Sequence, residues 1–407
     1  MKTLLRALIA LIIGVVFVGG TFFAGMATQQ TLTTARVIPS PTLAATNTPV
    51  ARSSLEADFA VFWEVWGIIK SEFIGTVPDD KAMTYGAIQG VVSTLGDQHT
   101  HFDDPVRANL QATELDGKFE GIGATVEMQN GRIVIVTPLK GRPAEKAGLL
   151  PGDIITKIDG KSTEGLSLTE AISRIRGPKG TQVTLTVVRT SSPTPIDITI
   201  TRATIEVEAV TTKKFDDGIV YLSLSEFTAP AGDEVDKALR DLLKDNPKGL
   251  IFDLRGNPGG YLNTAIAIVS EFISDGVVLS EVDKSGNKRD HRAVTGGRAT
   301  KIPLAVLINK GSASASELVS GAIKDRKRGI LIGETTFGKG SVQVSHTLSD
   351  KSRFTVTVRH WLTPNGHDIH EKGIDPDIFV PGPTETDKRS GRDPQVDRAI
   401  EYLLTGK

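Results

Sequence analysis

Residues 303–318 read Pro303-Leu-Ala-Val-Leu-Ile-Asn-Lys-Gly-Ser-Ala-Ser-Ala-Ser-Glu-Leu318, and this stretch decides the fold. Its first half is a short, unbroken apolar run, the pattern of a strand buried on both faces of a sheet. Its second half is small residues that lead directly into a helix expected from Glu317 to Lys324. A strand that turns through small residues into a helix exposes a side chain at the turn. The helix N-terminal amides there favour developing negative charge. Ser312, Ser314 and Ser316 all stand at this turn. The residues alone do not choose a nucleophile among them, and a serine-rich helix cap is the plainer reading.

The same rhythm continues on both sides. Upstream, Gly218 to Leu224 reads as a strand and Glu234 to Leu243 as an amphipathic helix. Gly249 to Arg255 is a buried strand ending in Gly256-Asn-Pro-Gly-Gly260, and Leu262 to Ile273 is a helix. Strands alternating with helices predict a layered α/β core. Downstream, a short strand at Gly329 to Ile332 runs into Gly333-Glu-Thr-Thr-Phe-Gly-Lys-Gly340. Glycines on both sides let the backbone enclose Lys339, and burial lowers an ammonium pKa so that the neutral amine can take a serine proton. A phosphate-binding lysine is discounted, because Gly340 stands where a P-loop has Ser or Thr.

Ahead of this core lies a different pattern. Phe119-Glu-Gly-Ile-Gly123 is followed by the alternating strand Arg132 to Thr137 and by Pro143-Ala-Glu-Lys-Ala-Gly148. Then come Leu150-Pro-Gly-Asp-Ile-Ile-Thr-Lys-Ile-Asp-Gly160, a helix from Leu168 to Ile175 and a closing strand from Gln182 to Arg189. This ordered run resembles a PDZ domain in the permuted form of bacterial proteases. The resemblance implies a β-sandwich-like module that adds a peptide C-terminus as a strand, its carboxylate held by the loop Gly121, Ile122 and Gly123.

The N-terminus is the one strongly non-globular part of the 407 residues. Lys2 and Arg6 precede an uncharged, mostly apolar stretch from Ala7 to Ala27, about 20 residues and enough to cross a hydrocarbon core of roughly 30 Å. The basic N-terminal flank predicts that end in the cytoplasm and the rest outside. A cleaved signal sequence is the rival reading, and both place the remainder outside the cytoplasm. Thr28 to Ser54, rich in Thr, Ala, Pro and Ser, reads as a flexible tether. From Leu55 helical spacing sets in, with Phe59, Phe62, Trp63, Trp66 and Ile69 as helix-packing residues and a second helical run from Tyr85 to Leu95.

Composition narrows the chemistry. A net charge of −1 gives no basic field for nucleic acid. The absence of cysteine excludes disulfides, thiolate nucleophiles and cysteine-ligated metals. His99-Thr-His101 and His367 to His370 are short histidine pairs without H-E-x-x-H or an assigned third ligand, so no metal and no cofactor is expected.

Taken in order, Leu95-Gly-Asp-Gln-His-Thr100, the PDZ-like run, Asp253-Leu-Arg-Gly-Asn-Pro-Gly-Gly-Tyr261, Gly311 to Leu318, Gly333 to Gln343, Thr363-Pro-Asn-Gly366 and Gly373-Ile-Asp-Pro-Asp377 resemble the carboxyl-terminal processing peptidases of the S41 family. The likeness spans roughly residues 55 to 380. It implies a crotonase- or ClpP-like peptidase core and a Ser-Lys dyad. Ser314 matches the family's nucleophile, Lys339 its base and Gln343 the residue that holds the lysine. It further implies an oxyanion hole from the amides of Ala315 and Gly260, the latter preferred over Gly259, and a gating role for Arg176. Glu317 and Asp325 are read as structural. His99 and His370 depart from the family, which often has an aromatic residue and Gln there.

The expected organisation is an anchor or signal at 1–27, a linker at 28–54, a helical N-terminal domain at 55–112, a PDZ domain at 113–203, a peptidase core at 204–382 and a charged tail with a short helix at 383–407. The expected function is a serine endopeptidase that cleaves near the C-terminus of unfolded or processed extracytoplasmic proteins. It would hold substrates by their tails and the membrane by its N-terminal segment, and a homodimer through N-terminal helices and C-terminal tail is compatible with this reading. A Ser-His-Asp hydrolase using His346 or His360, a metallohydrolase, and a non-cleaving PDZ scaffold remain the alternatives.

Overall fold

The computed structural model describes residues 58–189 and 192–407. The described residues divide into two units, one ending at Asp79 and one spanning Asp80–Lys407. The apolar stretch at 7–27 and the tether at 28–54 lie outside the described residues. Among the described residues no helix is long and apolar enough to cross a membrane.

In the first unit, helix α1 (Ala60–Glu72) carries the expected aromatics. The Phe62 ring lies 5.0 Å from Trp63 and 5.6 Å from Trp66, so these rings pack on one another along the helix.

The second unit opens with α2 (Asp80–Ser93), strand β1 (His101–Asp103) and α3 (Pro105–Leu115). Asp104 caps α3 by accepting from the amides of Val106 and Arg107, and Pro105 suits the first turn because its missing N–H is not needed there. The PDZ-like region follows: β2 (Lys118–Gly121), β3 (Ala124–Gln129), β4 (Arg132–Pro138), α4 (Pro143–Lys146), β5 (Ile154–Ile158), β6 (Lys161–Ser162), α5 (Leu168–Ile175), β7 (Gln182–Arg189), β8 (Ser192–Thr201) and β9 (Ala203–Glu206). Strands β3, β4, β5, β7 and β8 form one sheet, with β6 paired to β5. Alternate residues such as Val183, Leu185 and Val187 enter its core with Ile133, Ile135 and Ile155. Helix α5 begins with a capping box between Ser167 and Glu170. The module joins the rest through the two-stranded ribbon β2–β9.

The core contains β10 (Val210–Lys214), β11 (Ile219–Leu224), α6 (Ala231–Leu242), β12 (Gly249–Asp253), α7 (Leu262–Ser270), β13 (Val277–Asp283), β14 (Lys288–Arg292), β15 (Leu304–Ile308), α8 (Ala315–Asp325), β16 (Ile330–Gly333), β17 (Ser341–Thr347), β18 (Arg353–Leu362), β19 (Ile378–Phe379), α9 (Glu385–Ser390) and α10 (Pro394–Thr405). Its main sheet has the order β10-β11-β12-β15-β16-β19 and is parallel except for β10. The unbroken apolar runs follow from burial on both faces. Leu250, Phe252, Leu304, Val306 and Ile308 pack with α6, α7 and α8, whereas Ile251, Ala305 and Leu307 pack under Ala399 of α10. A second sheet places β18 between β17 on one side and β1 with β13 on the other.

The tail helix is tied to the sheet by charge. Arg255, nearly buried, pairs with Asp253 at 2.6 Å and with Asp393, the cap of α10, at 2.8 Å. Tyr221 donates to Asp253 at 2.7 Å, and burial followed by that carboxylate pushes its phenol up to about 12.

Candidate active site

The turn after β15 is built from hydrogen bonds that commit two of its three serines. Ser312 Oγ donates to Leu254 O at 2.8 Å, and Ser316 Oγ donates to Asn257 O at 2.9 Å; both residues are fully buried. Ser314 Oγ donates to no carbonyl among the described residues and is only half-buried. Ser314 also sits at φ 54°, ψ −112°, a strained conformation for a residue with a Cβ. Gly259 packs directly against this turn. A Cβ there would lie 2.8 Å from Ser314 Cβ and 3.0 Å from Ala315 N, and Gly259 itself has φ 109°.

Two main-chain amides beside Ser314 have no acceptor among the described residues. Ala315 N–H is the first of α8, where a helix has no internal partner. Gly260 is bridged to Phe227 through its neighbours, with Phe227 N donating to Gly259 O and Tyr261 N to Phe227 O, so its own N–H stays free. The Gly259 amide is occupied, donating to Asn257 Oδ1 at 2.9 Å. That distinction favours Gly260 over Gly259 as a donor to an anion.

Glu317, read from the sequence as structural, ties the turn to the lysine loop. Its carboxylate is fully buried and accepts four hydrogen bonds. Oε2 takes the amides of Ser314 and Lys339, each at 2.8 Å. Oε1 takes the Gly338 amide at 2.7 Å and the Thr336 hydroxyl at 2.6 Å. One carboxylate oxygen thus holds the main chain of both Ser314 and Lys339. The Ser-x-x-Glu spacing of a helix cap pointed to the first contact; the second spans 22 residues and had no local signal.

The Lys339 side chain is half-buried. Burial pushes its amine below the ordinary lysine value, while the charges of Asp97 and Glu317 act in the opposite direction. Asp97 accepts from Thr100 Oγ1 at 2.6 Å and from His99 N at 3.0 Å. Burial raises its pKa, but hydrogen bonds from Thr100, Thr357 and His99 outweigh this and hold it at about 2. No hydrogen bond joins the Ser314 hydroxyl to the Lys339 amine in this structure. Gln343 lies on β17 with its amide on Ser341 Oγ at 2.8 Å and Thr357 Oγ1 at 3.2 Å, and makes no hydrogen bond to Lys339.

The PDZ residues lie elsewhere in the same unit. Ile122 is buried, its carbonyl accepting from Ala144 N at 2.8 Å, and Gly123 has φ 72°. Arg176 ends α5 and is held away from the Ser314 turn. It donates to Thr113 Oγ1 at 3.0 Å, pairs with Glu114 at 3.2 Å and stands 4.3 Å over the Phe119 ring. Among the described residues no group of three or more His, Asp or Glu side chains is placed to hold a metal ion.

A PDZ-like module ahead of a layered α/β core, with a serine exposed at a strand-to-helix turn beside two free main-chain amides, has the build of a serine hydrolase. The model of peptidase family S41 matches residues 218–380, and that of the PDZ domain matches residues 134–189. The carboxy-terminal processing protease CtpB of Bacillus subtilis is 36% identical over 376 residues, 91% of this chain and 78% of that protein. The carboxyl-terminal-processing protease of Synechocystis is 38% identical over 350 residues, 84% and 81% of the two chains. An S41 protease structure from Bacteroides fragilis, 16% identical, shares the fold with a TM-score of 0.51 over 84% of this chain and 97% of that one. The chain belongs to the carboxy-terminal processing proteases, serine peptidases of family S41.

Proposed function

We propose that the chain is a Ser-Lys endopeptidase that captures the C-terminal tail of a protein substrate in its PDZ groove and cleaves near that end. The observation that carries this reading is the Glu317 oxygen shared by the amides of Ser314 and Lys339. It fixes nucleophile and base to one point while burial of Lys339 favours its neutral amine.

In the proposed reaction, neutral Lys339 takes the Ser314 proton as Oγ attacks the scissile carbonyl. The oxyanion is met by the free amides of Gly260 and Ala315, and the lysine ammonium returns its proton to the leaving amine. Water then hydrolyses the acyl-enzyme by the same base. Because Ser314 and Lys339 are not hydrogen-bonded here, substrate docking brings them together. Gln343, now on Ser341 and Thr357, would turn to hold the lysine at that stage.

Two readings accompany this one. The apolar stretch at 7–27 anchors or exports the chain, so that cleavage takes place outside the cytoplasm. The aromatic surface of α1 is available for pairing with a second copy. Tail recognition would run through Gly121, Ile122 and Gly123, with Arg176 leaving Glu114 when the groove is filled.

Labelling with a fluorophosphonate followed by peptide mass spectrometry tests the nucleophile. The adduct is expected on Ser314, retained in Ser312→Ala and lost in Ser314→Ala; an adduct on Ser312 or Ser316 would reassign it. For the gate, Arg176→Ala should alter kcat/KM for a tailed protein by about tenfold while leaving a short tailless peptide unaffected. Equal effects on both substrates would detach Arg176 from tail sensing.

A further inference from the structure

Asn309 follows β15 directly and stands where the segments of the site converge. Its carboxamide oxygen accepts two main-chain hydrogen bonds, from Gly256 N and from Gly311 N, each at 2.9 Å. Gly256 opens the turn that ends in Gly260, whereas Gly311 opens the turn that carries Ser314 and Ala315. One oxygen therefore spans two turns that lie far apart in sequence. Among the described residues the Asn309 Nδ2 has no acceptor, so the side chain works through its oxygen alone.

Asn309 is itself held in place. Its N–H donates to Ser312 Oγ at 3.0 Å, and its carbonyl accepts from Ser312 N at 2.8 Å. Ser312 extends the hold to its neighbours. Its hydroxyl reaches Leu254 O at 2.8 Å, and its carbonyl accepts from Phe337 N, on the lysine loop, at 3.0 Å.

The two turns touch main chain to main chain. A Cβ on Gly311 would come within 2.8 Å of Gly256 Cα and 3.2 Å of Gly256 N. Ala313 N donates to Asn257 O at 3.0 Å a little further along. The free amides of Gly260 and Ala315 belong to different turns, so the spacing between the turns decides how well both reach one oxygen. Amides fixed before reaction stabilise an oxyanion most, because nothing has to reorganise as charge develops.

We propose that Asn309 is a positioning residue for the oxyanion hole: its Oδ1, shared by Gly256 N and Gly311 N, holds the Gly260 and Ala315 amides at one spacing. This rests on reading those two amides as the hole. Asn309 acts through the main chain on both sides and takes no part in proton transfer. Gly256 and Gly311 are both exposed, so water can replace the lost acceptor in a variant and the fold should stand.

The full chain would be compared as wild type, Asn309→Ala, Asn309→Asp and Gly260→Ala. Each is assayed for kcat and KM on a tailed peptide and for affinity to a peptide boronate and to the matching product peptide. The boronate forms a tetrahedral adduct on Ser314 and so reports on the hole, whereas the product reports on ground-state binding. Asn309→Ala should lose about tenfold in kcat and in boronate affinity, with KM and product affinity within about twofold of wild type. Asn309→Asp keeps an acceptor oxygen and should recover most of both losses. Equal losses of boronate and product affinity in Asn309→Ala, an unchanged kcat there, or an Asn309→Asp no better than Asn309→Ala would overturn the proposal. Should Asn309→Ala not fold, a boronate-to-product ratio in Asn309→Asp far below wild type would overturn it as well. Gly260→Ala guards the underlying reading, because its Cβ would meet Phe227 O at 2.3 Å and displace that amide directly. A boronate-to-product ratio unchanged in Gly260→Ala would remove the oxyanion hole itself. A ratio lost in Gly260→Ala but kept in Asn309→Ala would remove only the role of Asn309.

Discussion

Lys339→Ala is expected to lose about 10²- to 10⁴-fold in kcat/KM against an unfolded protein with a free C-terminal tail, the range that a positioned base supplies. That corresponds to roughly 3–5 kcal/mol of transition-state stabilisation. The fold should survive, because the interaction that locks the turn is made by the Lys339 amide and not by its side chain. Lys339→Arg should not restore activity, since a guanidinium stays protonated and cannot accept the serine proton. Circular dichroism and a cleavage time course on the same samples check both parts. Substantial activity in either variant would separate Lys339 from the proton transfer.

Glu317→Gln should be the second most damaging change, and for a different reason. The carboxylate accepts four hydrogen bonds, three of them from main-chain amides, in a fully buried position. An amide side chain keeps one acceptor oxygen but turns an NH₂ group towards two of those donors. Leaving buried donors unpaired costs about 1–3 kcal/mol each, so for two of them a loss of about 2–6 kcal/mol in stability is expected. A fall of about 10²-fold in kcat should accompany it, because Ser314 and Lys339 lose their shared anchor. Glu317→Asp, which keeps the charge but shortens the reach, should recover stability better than it recovers kcat. Wild-type kcat in Glu317→Gln with only a lowered Tm would reduce Glu317 to a packing residue.

The parts of the fold legible in the sequence were those fixed by local pattern. Strands such as Gly249–Asp253 and Leu304–Ile308 are buried along their whole length, and their apolar runs follow because both their faces are covered. Helix α5 (Leu168–Ile175) was readable because its signals are local, its start carrying a capping box encoded within the four residues Ser167 to Glu170. The hairpin β17–β18 and strand β1 were not legible. They are rich in Ser, Thr and His, half-exposed, and held by pairing across long separations such as His101 with Thr355.

The site divides in the same way. A serine at a strand-to-helix turn and a lysine between glycines were visible. Which serine was free depended on Leu254 O and Asn257 O, more than fifty residues away in sequence. What sets Gly260 apart from Gly259 in the structure, Asn257 Oδ1 occupying the Gly259 amide, likewise had no signal in the glycine-rich run itself. Glu317 was read as a helix residue because its contact with the lysine turn is non-local.

In the proposed reaction a neutral Lys339 takes the proton of Ser314. The most direct measurement is the pre-steady-state rate of Ser314 acylation as a function of pH in wild type and in Lys339→Ala. In wild type the rate should rise with pH above the histidine range on a single ionisation lying below the ordinary lysine value of about 10.4, in keeping with the burial of that amine. This limb should be absent from Lys339→Ala. An acylation limb near pH 6.5 that survives in Lys339→Ala would assign the base to a histidine and contradict the dyad.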